Sequence, residues 1–169
     1  MTSELRQMTL VSCPTAQAVK RIETFVKTFG VVTGGVTTIP FGFDLASTDG
    51  GGAVRVEHGV RLHVSIEGSP SNVNQVFAID WKPSTGGPFP SFDGELTIEN
   101  ENYDSFWLEL RGTYRPPFGV LGSVFDAIAG KRIAAQSARE LLAKMASSIE
   151  AGFQADEASK PSEPAEPRR

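Results

Sequence analysis

The sequence predicts an α+β protein in which an antiparallel sheet carries its helices on one face. Three observations lead there. Six or seven segments alternate apolar and polar residues with the period of a strand. Most of them are separated by turn-length stretches, so neighbouring strands run antiparallel. Helical spacing appears only twice, once after the first strand and once near the end, whereas a doubly wound parallel sheet needs a helix between successive strands.

Composition sets the outer bounds. At 169 residues, with 40% hydrophobic and 21% charged side chains, the chain is one soluble domain by size and content. A net charge of -4 gives a phosphate backbone or an anionic membrane nothing to hold, so no nucleic-acid partner is expected. The N-terminus has no apolar signal region, and no run approaches the length of a transmembrane helix. No membrane insertion is expected, and a cytoplasmic location is. Cys13 is the single cysteine, which rules out an internal disulfide.

Taken in order, Met8 to Ser12 is the predicted first strand. A helix follows, with Ser12 or Cys13 as its cap and Pro14 in its first turn. Ala18, Val19, Ile22, Phe25, Val26 and Phe29 fall three and four apart and make one apolar stripe, which Gly30 ends. The stretch VVTGGVTT reads as a joint. Ile39, Phe41, Phe43 and Leu45 then alternate with Pro40, Gly42 and Asp44, the proline suggesting an edge or a bulge. After a glycine-rich turn, Ala53 to Glu57 and Val60 to Glu67 read as a hairpin about His58-Gly59, with Val60, Leu62, Val64 and Ile66 in one phase. Val73 to Trp81 is the next strand, and Lys82 to Ser91 a Pro/Gly-rich loop. Phe92, Leu96 and Ile98 share a face of the following strand. Phe106, Leu108 and Leu110 share a face of the last, with Trp107, Glu109 and Arg111 opposite and Gly112 closing it.

Pro116 and Pro117 cannot continue a ladder. From Val120 to Phe153 the apolar spacing is helical, about 50 Å if unbroken, with Gly130 the point where a kink would form. Residues 1–153 are therefore the predicted domain, and the Pro/Glu-rich 154–169 a disordered tail.

Chemistry-bearing residues are sparse and scattered. Cys13 lacks a partner histidine or a Cys-x-x-Cys. Gly50, Gly51 and Gly52 precede strand-like sequence with no Gly-Lys-Ser/Thr, so no phosphate loop is supported. His58, His63 and Glu57 are zinc-compatible types, but no trio shares a face. Asp80, Asp93 and Glu95 lie on different strands in the polar phase, and Asp126, Lys131 and Arg132 read as the solvated side of the long helix. Ser137 has no nucleophile setting. No catalytic residue, metal site or cofactor is assigned. What remains is the apolar phase: Phe41, Phe43, Val64, Phe77, Ile79, Leu96, Leu108, Tyr114, Phe125, Leu142 and Met145. Either these form an ordinary core, or sheet and helix fail to touch everywhere and leave a cavity for a hydrophobic small molecule. Tyr114, Trp107 and Arg111 are candidates for its mouth.

The pattern G-x-Y-x-P-P-x-G-x-x-G-x-x-x-D, here Gly112, Tyr114, Pro116, Pro117, Gly119, Gly122 and Asp126, leads into the long helix. Together with the order strand, helix, sheet, long terminal helix, it resembles the START-like or SRPBCC superfamily (polyketide cyclase/dehydrase and lipid transport) over about residues 8–153. The segment Arg132 to Leu142 is also similar to the closing helix of bacterial members. The resemblance implies a helix-grip fold, a curved sheet of six or seven strands wrapped around the C-terminal helix. It implies an internal cavity for lipids, sterols, polyketides or hormones, with cyclases, aromatases and hydroxylase subunits among its members. Such proteins usually have two short helices after the first strand, and here there is one. The family has no universal catalytic residue, and none is carried over. Binding of a hydrophobic small molecule or lipid is thus the leading expectation. A cyclase- or hydrolase-like enzyme in the same cavity and a partner-binding domain with a filled core are the alternatives. A homo-oligomer stays open, since no interface signature is present.

Overall fold

In the computed structural model the described residues are 3–33, 36–45, 54–63, 76–83, 91–115 and 127–160. Element order is β1 (Ser3–Val11), α1 (Thr15–Phe29), β2 (Val31–Thr33), β3 (Val36–Leu45), β4 (Val54–His63), β5 (Val76–Pro83), β6 (Ser91–Asn102), β7 (Ser105–Arg115) and α2 (Ala127–Ala158). The strands form one curved, open antiparallel sheet in the order β1-β7-β6-β5-β4-β3-β2. Each neighbour from β2 to β7 is next in sequence, and β1 closes the far side by pairing with β7. The α+β class and the helix-grip arrangement of the sequence reading hold.

Register explains which side chains face inward. Ile39, Val60, Trp81, Phe92 and Tyr114 are successive cross-strand partners and form one continuous row from β3 to β7. Two residues along, Ile79, Gly94, Gly112 and Leu5 make the next row, followed by Phe77, Leu96 and Leu110 and then by Ile98 and Leu108. All the non-glycine members of these rows are buried in one cluster with Ala18, Ile22 and Phe25 of α1 and with Ala134, Ala138, Leu141, Leu142, Met145 and Ile149 of α2. Alanines at 134, 138 and 146 let α2 approach closely, and it lies nearest to β1, with α1 beside it.

Several sequence expectations are corrected. The first strand begins at Ser3, not Met8: of its inward positions before Thr9 only Leu5 is strongly apolar, too little to show alternation. Pro14 stands before α1 as its cap position, with φ -56° and ψ 133°, and no side chain caps the helix. Gly30 does end α1, but in an extended conformation, its N–H donating to the Val26 carbonyl at 2.8 Å. The VVTGGVTT joint contains β2 and the start of β3, paired as a short hairpin. No turn occurs at His58-Gly59. β4 passes straight through, with His58 opposite Phe41 and Pro83 and Gly59 opposite Pro40 and Lys82.

Gly112 does not close the last strand, which continues to Arg115. It faces Gly94, where the two backbones and the Phe92 ring crowd together. A Cβ on Gly112 would stand 2.3 Å from the Asp93 carbonyl oxygen and 2.7 Å from Phe92 Cζ. Gly130 is helical, so α2 is unbroken there, and α2 runs past Phe153 to Ala158. The expected helix start at Val120 and the Pro116–Gly119 crossover lie outside the described residues, as does the tail from 161.

Candidate functional site: the inner face of the sheet

The inner face is built by phase. Along β6 and β7, Phe92, Leu96, Ile98, Phe106, Leu108, Leu110 and Tyr114 point inward, and none is more than 3% exposed. Its largest groups stand at the centre of the sheet. Trp81 and Phe92 stack with ring centroids 4.2 Å apart and planes 17° from parallel. This offset face contact of two buried rings adds about 1 kcal/mol to the burial itself. The glycine pair makes the stack possible, because Phe92 lies over positions 94 and 112 where any side chain would meet its ring.

Of the residues assigned to a ligand site from sequence, Phe77, Ile79, Leu96, Leu108, Tyr114, Leu142 and Met145 come together in this one cluster. Phe41 and Phe43 take their places in β3 opposite His58 and Val56. Val64 and Phe125 lie outside the described residues. Trp81, Phe92, Val60 and Ile39 belong with the set and were not assigned to it. Their apolar phase was visible, but only the cross-strand register shows that they form a single row with Tyr114. Of the three residues expected at a cavity mouth, Tyr114 alone faces inward. Trp107 is on the other face and donates its indole N–H to Glu101 Oε2 at 2.6 Å, and Arg111 is exposed.

The polar groups sort to the opposite face. Glu109 is buried there under a two-pronged bond from Arg6, Nε to Oε1 at 2.5 Å and Nη2 to Oε2 at 3.1 Å. Arg61 is ion-paired with Asp80 on the neighbouring strand. On the same face, Arg61, Asp80, Lys82, Ser91, Asp93 and Arg115 border a hollow of about 230 Å³. Ser137 is buried in α2, and its hydroxyl donates to the Ile133 carbonyl one turn back at 2.9 Å. Cys13 is fully buried. Loss of hydration pushes its thiol pKa up, with Arg21 nearby opposing and Glu150 reinforcing the shift. A raised pKa is the reverse of what a thiolate nucleophile needs. Among the described residues no group of three or more His, Cys, Asp and Glu is placed to hold a metal ion.

Where α1 meets α2, Arg21 is buried against Gly152. Its Nη2 donates to Gln17 Oε1 at 2.9 Å and to Asp156 Oδ2 at 2.7 Å, and its Nε has no partner among the described residues. The backbone N–H of Ser12 donates to Glu150 Oε1 at 2.7 Å, a second tie between the β1–α1 corner and the long helix. These bonds position α2 along the sheet edge. Nothing in the sequence distinguishes Arg21 from the solvated lysines of the same helix.

Neither a protein-family model nor a curated protein sequence matches the chain. Solved structures do match in fold. The aromatase/cyclase Zhui from Streptomyces sp. R1128 is 11% identical with a TM-score of 0.57, over 89% of this chain and 94% of that one. A conserved protein from Geobacillus kaustophilus is 12% identical with a TM-score of 0.57, over 91% and 97%. Norcoclaurine synthase from Thalictrum flavum, in complex with dopamine and hydroxybenzaldehyde, is 11% identical with a TM-score of 0.50, over 96% and 90%. At such identities the likeness shows a shared fold alone, the curved antiparallel sheet with a long C-terminal helix described above. No helix among the described residues is long and apolar enough to cross a membrane.

Proposed function

We propose that this protein binds a hydrophobic small molecule between the centre of its sheet and the long helix, without catalysing a reaction on it. The observation that carries the reading is the stacked Trp81–Phe92 pair in a row that runs from Ile39 to Tyr114. The long helix lies nearest the β1 edge, and in this reading the gap between it and the central strands is filled by their largest side chains. Such a gap accepts an apolar guest when these rings and the unbranched Met145 change rotamer. Arrangement of the polar groups favours binding over chemistry. A cyclase- or hydrolase-like reaction needs convergent acid and base groups. Among the described side chains of this cluster the hydrogen-bonding groups are the Tyr114 hydroxyl, the indole N–H of Trp81 and the Cys13 thiol, while Glu109, Asp80 and Arg61 work on the other face.

The two tryptophans supply the test. Trp81 is sealed in the inner row and Trp107 sits on the outer face, so Trp107→Phe leaves a single reporter at the site. Native mass spectrometry of the purified chain, with organic extraction, is expected to show a co-purifying hydrophobe. Titration of the Trp107→Phe protein with 4-hydroxybenzaldehyde and with a fused-ring naphthol is expected to give a saturable change in Trp81 emission. Absence of both signals would overturn the proposal in favour of a filled core whose function lies on the exterior.

A further inference from the structure

We propose that the outer face of the sheet carries a second, polar site, a hollow that takes one small oxyanion group, a phosphate or a carboxylate. The hollow is about 230 Å³ and lies across β4, β5, β6 and β7. Its bordering groups alternate along the strands with the buried Val60, Trp81, Phe92 and Tyr114, so it opens on the side opposite the hydrophobic row. It is therefore independent of the binding reading above.

Register shows why a hollow forms and why it is basic. Ser91 is the cross-strand partner of Arg115, and one step beyond the Trp81–Phe92 pair Lys82 flanks Ser91 from the other side. Beyond Lys82 the row reaches Gly59, which has no side chain to fill the space. Two long cations thus stand on either side of a small hydroxyl residue, about 5 Å from it on each strand. The adjacent row is Arg61, Asp80 and Asp93. Arg61 and Asp80 are spent on each other. Lys82 and Arg115 make no hydrogen bond or ion pair among the described residues, and both are exposed. Against them stands one uncommitted carboxylate, Asp93. The hollow therefore keeps one net positive charge after its internal pair is cancelled. Arg115 offers a planar fork of donors, Lys82 a point charge and Ser91 a hydroxyl, a donor set suited to three oxygens of a single anion.

Calorimetric titration of the full chain at low ionic strength, with sodium phosphate in one arm and sodium acetate in the other, tests the site. Saturable binding of one equivalent in either arm is expected, and the arm identifies the anion class. Lys82→Ser and Arg115→Ser are each expected to weaken it about fivefold, as the loss of one exposed charged contact predicts. Asp93→Asn is expected to tighten it, since among the described lining residues it removes the one carboxylate not ion-paired within the hollow. All three positions are exposed, so thermal midpoints close to that of the parent protein will show that the fold is intact. Absence of saturation in both arms overturns the proposal. So does binding that Lys82→Ser and Arg115→Ser leave unchanged.

Discussion

Replacing Gly112 by Ala separates two opposing expectations by sign. Glycine inside a strand is normally a liability, and substituting alanine stabilises by about 0.4–1 kcal/mol through the unfolded chain where the native backbone permits it. Here the new Cβ would stand 2.3 Å from the Asp93 carbonyl oxygen, 2.6 Å from Gly94 Cα and 2.7 Å from Phe92 Cζ. The first two neighbours are backbone. Reaching even 3.0 Å from that oxygen needs a movement of 0.7 Å (3.0 less 2.3) between two hydrogen-bonded strands. Overpacking of this kind costs about 3 kcal/mol, at the upper end of the usual range because rotamer changes cannot relieve it. The clash exceeds the entropic gain. Equilibrium urea unfolding is the assay, and with a slope of about 2 kcal/mol per molar the midpoint should fall by roughly 1–1.5 M. Adding Phe92→Leu should recover only a minor part of the loss, because the carbonyl contact remains. A Gly112→Ala protein as stable as its parent, or more so, would refute the reasoning.

The remaining predictions concern the α1–α2 corner and the buried thiol. A chain ended after Phe153 loses Asp156 and leaves the Arg21 guanidinium buried with Gln17 alone. Chemical denaturation should show a loss of about 1–2 kcal/mol, discounted because Asp156 is 58% exposed in the pair. Gly152→Ala puts a Cβ 3.2 Å from Arg21 Nη1, so the helix-propensity gain of about 1 kcal/mol should be largely absorbed by displacing that guanidinium. Cys13 should react with a thiol reagent such as DTNB only at the rate of local opening. Because burial raises its pKa in the folded state, the protonated thiol is favoured on folding. Stability should be complete below the unfolded thiol pKa of about 8.5 and decline as pH rises above it. Cys13→Ala should remove that part of the alkaline slope in pH-dependent unfolding.

Much of the fold was legible because period-two alternation is strong where one sheet face is dry. Phe92, Leu96, Ile98, Leu108 and Leu110 announced β6 and β7 and their inward face. The apolar stripe of α1 was equally plain. Legibility failed where a residue acts through a distant partner. Gly112 reads as a breaker locally, yet its role is to let β6 and Phe92 approach, which only the pairing with Gly94 reveals. His58-Gly59 has the composition of a turn, but two flanking strands hold it extended. The last turns of α2 are exposed and carry no apolar period, and Arg21, far away in sequence, bonds to them. The ligand-site residues were found by phase and missed by register. Trp81 and Phe92 were on the correct face without any sign that they meet.

The same inner row limits what the proposed ligand can be. With no charge to pair and two polar tips, affinity must come chiefly from apolar area removed from water. At about 25 cal/mol per Å², a single-ring ligand burying about 200 Å² gains about 5 kcal/mol, a dissociation constant near 0.2 mM before any cost of displaced side chains. Opening the Trp81–Phe92 stack subtracts about 1 kcal/mol more, so one-ring compounds should bind only in the millimolar range. Doubling the buried area doubles the gross term while the displacement cost is incurred once, which favours fused-ring or long-chain ligands. Affinities measured by Trp81 emission in the Trp107→Phe protein across a one-, two- and three-ring phenol series should therefore rise more than tenfold per added ring until the gap is filled. Phe92→Leu, which replaces the stacked ring with a smaller side chain, should admit the largest member better than the parent does. Affinities that stay flat along the series, or binding of the single ring as tight as the largest, would mean that polar contacts dominate the recognition and that the apolar row is only a core.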